Sequence, residues 1–298
     1  FKDVVVGGAE GTRLWGISVG IAAVVVALVS PILGTIADFS RSKKRFLIFF
    51  TGISVVATAL LFFVGEGDVI MGIVFFIIAE IGYRAAQVFY DALLTDVSTP
   101  ETIGSVSGKG WAIGMVGGIV ALLIVLVPIQ LLGNDFIHWA FLITAFIYLI
   151  SSVPTFLWVE EKKNNTQVNA GRRTIKLAFT KLAQTFRDVR NYKEFIKYMV
   201  AFLIYNDGIM MLMDFAAIIG ATLFGMQQIQ LIIFVILIQI AGAFGALLFG
   251  RIADRRSSKE AILLSLIILI AAVTGLFFVK ELIWFNIIGF FAGFSLSG

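Results

Sequence analysis

The stretch GTIADFSRSKKR, Gly34 to Arg45, decides how this chain is read. It follows an apolar run that starts near Trp15, and it ends on four closely spaced cations, Arg41, Lys43, Lys44 and Arg45. A hydrocarbon-length run that stops at clustered Lys and Arg is how a transmembrane helix meets the cytosolic face. One residue sits badly in that description. Asp38 falls where the helix ends, beside the negative pole of the helix dipole, which disfavours a carboxylate. The arrangement returns in GRIADRRSSKEA, Gly250 to Ala261, where Gly, Ile-Ala-Asp and then cations again follow an apolar run and bring Asp254 and Arg255 to the same place.

Outward from these two breaks, the composition is what membrane helices need. Of 298 residues, 59% are hydrophobic and 14% charged, against about 25% charged in soluble domains. Apolar runs of about 20 residues, the length that crosses a bilayer core as a helix, fall at 12–37, 46–64, 69–94, 107–132, 136–159, 195–222, 227–250 and 261–279, and a ninth starts at 282. The ninth is still running at Gly298 and the first residue is Phe, so the expectation is a fragment that lacks the first and the last helices of a longer protein. The fold class expected is an all-α transmembrane bundle. Cysteine is absent and His138 is the sole histidine, which removes disulfides, thiolate sites and the usual nucleophile and metal constellations. No catalytic residue, metal, cofactor or nucleic-acid partner is expected.

Basic residues set the topology. Four lie at 41–45, nine at 162–193 and four at 251–259, whereas 65–68, 133–135 and 223–226 have none. The positive-inside rule places the basic connections in the cytosol. The longest of them divides the chain into an N-terminal helical half at 1–159, a linker at 160–194 and a C-terminal helical half at 195–298. Within the linker Ile175, Phe179, Leu182, Phe186 and Val189 recur at helical spacing among Lys and Arg, which predicts a basic amphipathic helix, either a tether or a partner-binding element. Five spans before the linker and one more ahead of them would make a six-plus-six bundle with the two basic breaks as equivalent positions.

Ionisable groups inside spans cost roughly 2.5–3.5 kcal/mol each at the helix centre, so they need interior partners. Glu80, Arg84, Gln87 and Asp91 follow one another at spacings of 4, 3 and 4 and form one stripe, in which Glu80 is the i,i+4 partner of Arg84. In the 195–222 span Tyr205, Asn206, Asp207 and Gly208 interrupt an apolar run, and Asp214 shares a face with Asp207, with Met211 between them. A midplane Asp without a local cation is a candidate proton carrier. The alternative for both sets is static ion pairing that fixes helix packing. Gly110, Gly114 and Gly118, and Gly242, Ala246 and Gly250, repeat at every fourth residue and are expected to let helices approach closely. His138 reads as interfacial packing, and Trp15, Trp139, Trp158 and Trp284 as an aromatic belt.

Gly34, Asp38, Arg41, Lys43 and Arg45 together resemble the signature loop between the second and third helices of the major facilitator superfamily, and Gly250 with Asp254 and Arg255 is similar to its degenerate echo in the second half. FYDALLTDVSTPETIGSVSGKGWAIGMVGG, Phe89 to Gly118, and FLIYNDG, Phe202 to Gly208, resemble the vacuole-effluxer-like branch, which includes autophagy-related amino-acid exporters. The chain departs from the superfamily where Arg41 replaces the usual glycine, where Met115 replaces a proline of the antiporter signature, and where Val88 follows Arg84-x-x-Gln87. The resemblance implies that the helix with Glu80 and Arg84 lines a central cavity. It also implies that the two motif aspartates latch onto helix N-termini, Asp254 onto the stretch that begins near Ser105 and Ser107. The function it implies is secondary transport of a small polar solute by alternating access, with amino acids as candidates, and the midplane Asp adds the expectation of proton coupling. A non-transporting receptor or scaffold that acts through the linker is the rival. A monomer is expected, in the plasma membrane of a prokaryote or in a vacuolar or other organellar membrane of a eukaryote.

Overall fold

The computed structural model describes residues 8–39, 42–65, 67–133, 136–162, 180, 187 and 192–296, without the side chains of 8–12, 15, 38, 39, 207, 210–218 and 228. The predicted linker helix therefore lies almost wholly outside the described residues. Among those described, the chain forms nine α-helices and no strand. They are α1 (Gly8–Phe39), α2 (Lys43–Leu60, extended by a 3₁₀ turn at Leu61–Phe63), α3 (Val69–Val97), α4 (Ile103–Leu132), α5 (Ile137–Trp158), α6 (Lys193–Phe224), α7 (Gln228–Arg255), α8 (Ser258–Leu276) and α9 (Leu282–Ser295). Seven have the length and apolarity to cross a membrane, namely α1 to α5, α7 and α8. This is the all-α transmembrane bundle that the apolar runs call for, in an integral membrane protein.

Helix ends follow local chemistry. Gly225, at φ 62°, takes the left-handed conformation that ends α6 without a Cβ penalty, and the Met226 N–H folds back to donate to the Gly220 carbonyl at 3.1 Å. Met226 then packs with Phe234 and Phe285 in a buried cluster. At the start of α8 the Ser257 hydroxyl accepts from the Glu260 N–H at 3.2 Å, a serine N-cap that satisfies one of the orphan donors of the first turn.

Cα packing resolves two compact units, Phe1–Val97 with Ala121–Arg187 and Ser98–Val120 with Asp188–Gly298. In the first unit α3 packs against α1 and α2, and α2 also packs against α5. Phe89, fully buried, stacks between Phe46 and Phe50, with ring centroids 5.0 and 5.9 Å away. Lipid tails are as apolar as these rings, so such contacts hold helices together by close packing and not by expulsion of water. Each aromatic pair adds about 0.5–1.5 kcal/mol. At Gly82 a Cβ would lie 2.9 Å from the Ser54 backbone nitrogen, and the Ser54 hydroxyl uses this proximity to donate to the Ala79 carbonyl at 2.9 Å.

In the second unit α7 packs with α8 and α9. Two near-backbone crossings mark it. A Cβ at Gly245 would collide with the Phe294 carbonyl of α9, and one at Gly108 with the Ala246 carbonyl of α7. Gly250 and Gly104 meet in the same way, a Cβ on Gly250 falling 2.5 Å from the Gly104 carbonyl oxygen. The spacing-of-four expectation thus holds for Ala246 and Gly250 on α7. On α4 the phase differs: a Cβ at Gly110 or Gly114 meets nothing within 4 Å, and the contacting residues are Gly104 and Gly108. Gly118 approaches only the Gln239 side chain.

Candidate functional site

Helix α3 has two faces of opposite character. Gly72, Ala79, Gly82, Ala85, Ala86, Phe89 and Leu93 are its buried positions. At 100° per residue, Glu80, Arg84, Gln87 and Asp91 fall on the other side. Arg84 Nε donates to Glu80 Oε1 at 2.9 Å, and the guanidinium lies 5.8 Å from the Tyr83 ring centroid. The Arg84 side chain is 53% exposed and that of Glu80 28%, so the cation retains unused donors. Gln87 is half-buried and Asp91 exposed.

Between α2, α3 and α5 lies a cavity of about 560 Å³, within the range of small-molecule sites. Its walls are chiefly apolar, and its polar groups come from Ser54, Thr58, Glu80, Tyr83, His138, Thr144 and Tyr148. The Tyr83 and Tyr148 rings meet edge to face at 6.1 Å. His138 Nδ1 is enclosed and has no hydrogen-bond partner among the described residues. Its position near the end of an apolar run makes His138 read as interfacial packing. In the fold it shares this cavity with Glu80, a convergence between α3 and α5 that spacing along one helix cannot reveal. A buried nitrogen without a hydrogen-bond partner is where a polar ligand atom gains most, because burial without a partner is costly.

On α6, Tyr205 and Asn206 are half-buried, and the Tyr205 ring packs edge to face on Phe202 at 5.3 Å. The side chains of Asp207, Met211 and Asp214 lie outside the described residues.

The motif residues separate into two environments. Asp254 accepts from the Gly104 and Ser105 backbone N–H groups, each at 2.7 Å, and from the Ser105 hydroxyl. These donors are the first turn of α4, where amides are unsatisfied and the helix dipole is positive. Arg255 is exposed. In the other motif, Lys43 is buried and its Nζ lies 3.1 Å from Asp96 Oδ2 and 3.1 Å from the Ala92 carbonyl, at the end of α3. Lys44 Nζ donates to the Val159 carbonyl at 2.8 Å and its N–H to Glu161 Oε1 at 2.5 Å, and Lys162 Nζ donates to the Thr95 carbonyl at 3.1 Å. Three lysines thus neutralise the negative ends of α3 and α5. Asp96 and Glu161 are not legible in the sequence because their partners, the Lys43 ammonium and the Lys44 backbone N–H, are more than fifty and more than a hundred positions away. Gly34 is half-buried, Arg45 is exposed, α1 continues through Asp38 to Phe39, and the Asp38 side chain and Arg41 lie outside the described residues.

Comparison with known proteins adds lineage to geometry. The family model described as "Vacuole effluxer Atg22 like" matches residues 14–291. An uncharacterized MFS-type transporter of Bacillus subtilis (strain 168), YxiO, is 26% identical over 301 aligned residues, covering 98% of this chain and 69% of the relative. An uncharacterized protein of Aquifex aeolicus (strain VF5) is 21% identical over 288, covering 96% and 68% respectively.

Proposed function

Since this chain belongs to the vacuole effluxer Atg22-like family of major facilitator transporters, we propose that it is a secondary active carrier of a small polar solute, amino acids first among the candidates, which works by alternating access with proton coupling. The observation that supports this reading is the Glu80–Arg84 pair at the edge of the α2–α3–α5 cavity. A zwitterion brings a carboxylate for Arg84 and an ammonium for a carboxylate. When the solute's carboxylate takes the guanidinium, Glu80 loses its 2.9 Å partner and is free to hold the solute's ammonium or a proton. Solute and proton are then linked through one cation. Asp207, Asp214 and Asp91 are further candidates for proton carriage, and Tyr205, Asn206 and Gln87 for solute contact.

Alternating access needs a contact that holds one state closed. Asp254 on the α4 N-terminus supplies one, and the Asp38 motif is read as its counterpart. The basic connections would face the cytosol, and the carrier would act as a monomer.

Flux in proteoliposomes tests the reading. Arg84→Ala should abolish accumulation of radiolabelled amino acids while the protein still elutes as a folded species. Glu80→Gln should retain exchange but lose the response to an imposed pH gradient. Unimpaired, gradient-driven flux by both variants removes the pair from the mechanism.

A further inference from the structure

Beyond the Asp254 contact, α7 and α8 form a groove of about 720 Å³ whose mouth is basic and whose walls are apolar. Arg251, Arg255 and Arg256 line the mouth with a single carboxylate, Glu260. That carboxylate lies 3.6 Å from Arg256, with both side chains more than half exposed, a geometry that neutralises little. Arg251 and Arg255 form no salt bridge among the described residues, and the neighbouring Asp254 is committed to α4. The mouth therefore has positive charge in excess of its own carboxylate.

The walls have another character. Leu248 on α7 and Leu263 and Ile267 on α8 face the groove and are 43%, 49% and 63% exposed. From Arg255 and Arg256 to Leu248, and from Glu260 to Ile267, the groove runs roughly 10–12 Å at 1.5 Å per residue, most of the depth of one leaflet's hydrocarbon, about 15 Å. A free anion would use the arginines and leave these walls without purpose. A zwitterionic lipid would bring its own cation to a mouth already rich in them.

We propose that this groove is a binding site for an anionic phospholipid, with the phosphate against Arg251 and Arg256 and an acyl chain along Leu263 and Ile267. Its chemistry complements the groove: a charged, bidentate acceptor for guanidinium at one end and a flexible hydrocarbon at the other. Such a lipid would sit beside the Asp254 contact without sharing its atoms. The site is independent of which solute is carried.

Native mass spectrometry of the purified protein, supplied with equal amounts of phosphatidylglycerol and phosphatidylcholine, tests it. Wild type should retain phosphatidylglycerol preferentially. With each basic side chain worth about fivefold at an anionic surface, the R251Q/R256Q variant should lose about tenfold or more of that preference while it melts like wild type in phosphatidylcholine. Should that variant fail to fold, E260Q, which removes the only carboxylate in the mouth, must raise retention of phosphatidylglycerol. Equal retention of the two lipids by wild type, an unchanged preference in R251Q/R256Q, or no gain in E260Q overturns the proposal. So does displacement of the lipid by millimolar inorganic phosphate, which would mark a free-anion site.

Discussion

Gly250→Ala is the sharpest probe of the α4–α7 crossing. The added Cβ would lie 2.5 Å from the Gly104 carbonyl oxygen, against the 3.4 Å at which ordinary van der Waals contact begins. The helices must part by about 0.9 Å, and neither partner atom is a side chain that can swing away. Asp254 is one helical turn further on, and the same parting would stretch its 2.7 Å bonds to Gly104 and Ser105 to about 3.6 Å, beyond hydrogen-bond range. Overpacking of this kind costs about 1–3 kcal/mol, offset by about 1 kcal/mol from replacing a helical glycine with alanine. Gly110→Ala on α4 is the control, since it takes the same helical gain and meets nothing within 4 Å. The two variants should differ by about 2 kcal/mol, or about 4–8 °C in melting temperature, with Gly250→Ala the lower. A fluorescence-monitored melt in detergent measures this directly. Equal melting temperatures, or a lower value for Gly110→Ala, would refute the crossing and return the contact to the Gly110–Gly114 phase.

The chain has no cysteine, so one introduced at Ser107 is a unique thiol, and Asp254→Asn should increase its rate of alkylation by releasing the start of α4; an unchanged rate would mean that Asp254 does not hold that turn. Lys43→Met should lower stability by roughly 3 kcal/mol because it strands the buried Asp96, and K43M/D96L should recover most of that loss; additive losses in melts of the single and double variants would contradict a direct pair. His138→Leu should leave the melting temperature unchanged or higher, since it removes an unpartnered buried nitrogen, and weaken solute binding measured by titration calorimetry; unchanged affinity would take His138 out of the cavity's polar set.

Most of the fold is legible in the sequence, and the reasons differ by feature. A bilayer imposes one length and one polarity on each helix, so the 69–94 and 107–132 runs give α3 and α4 within a few residues. The Glu80–Arg84 pair is legible because it is an i,i+4 contact, internal to one helix. Asp254 is legible through its motif. What spacing cannot show is convergence between helices, and His138 beside Glu80 and Lys43 upon Asp96 are both of that kind. The glycine phase on α4 failed for a related reason. Two series at a spacing of four occur on that helix, Gly104 with Gly108 and Gly110 with Gly114 and Gly118, and only the neighbour decides which is used.

The bonds around Lys44 and Lys162 have a mechanical consequence. Residues 159–162 leave α5 pinned to the first residues of α2 through Lys44 and to the last turn of α3 through Thr95. Tension on the chain beyond this point would be taken up by three helices in parallel, and the end of α5 would not be peeled away first. Residues 159–162 would thus act as a strain relief for the end of α5.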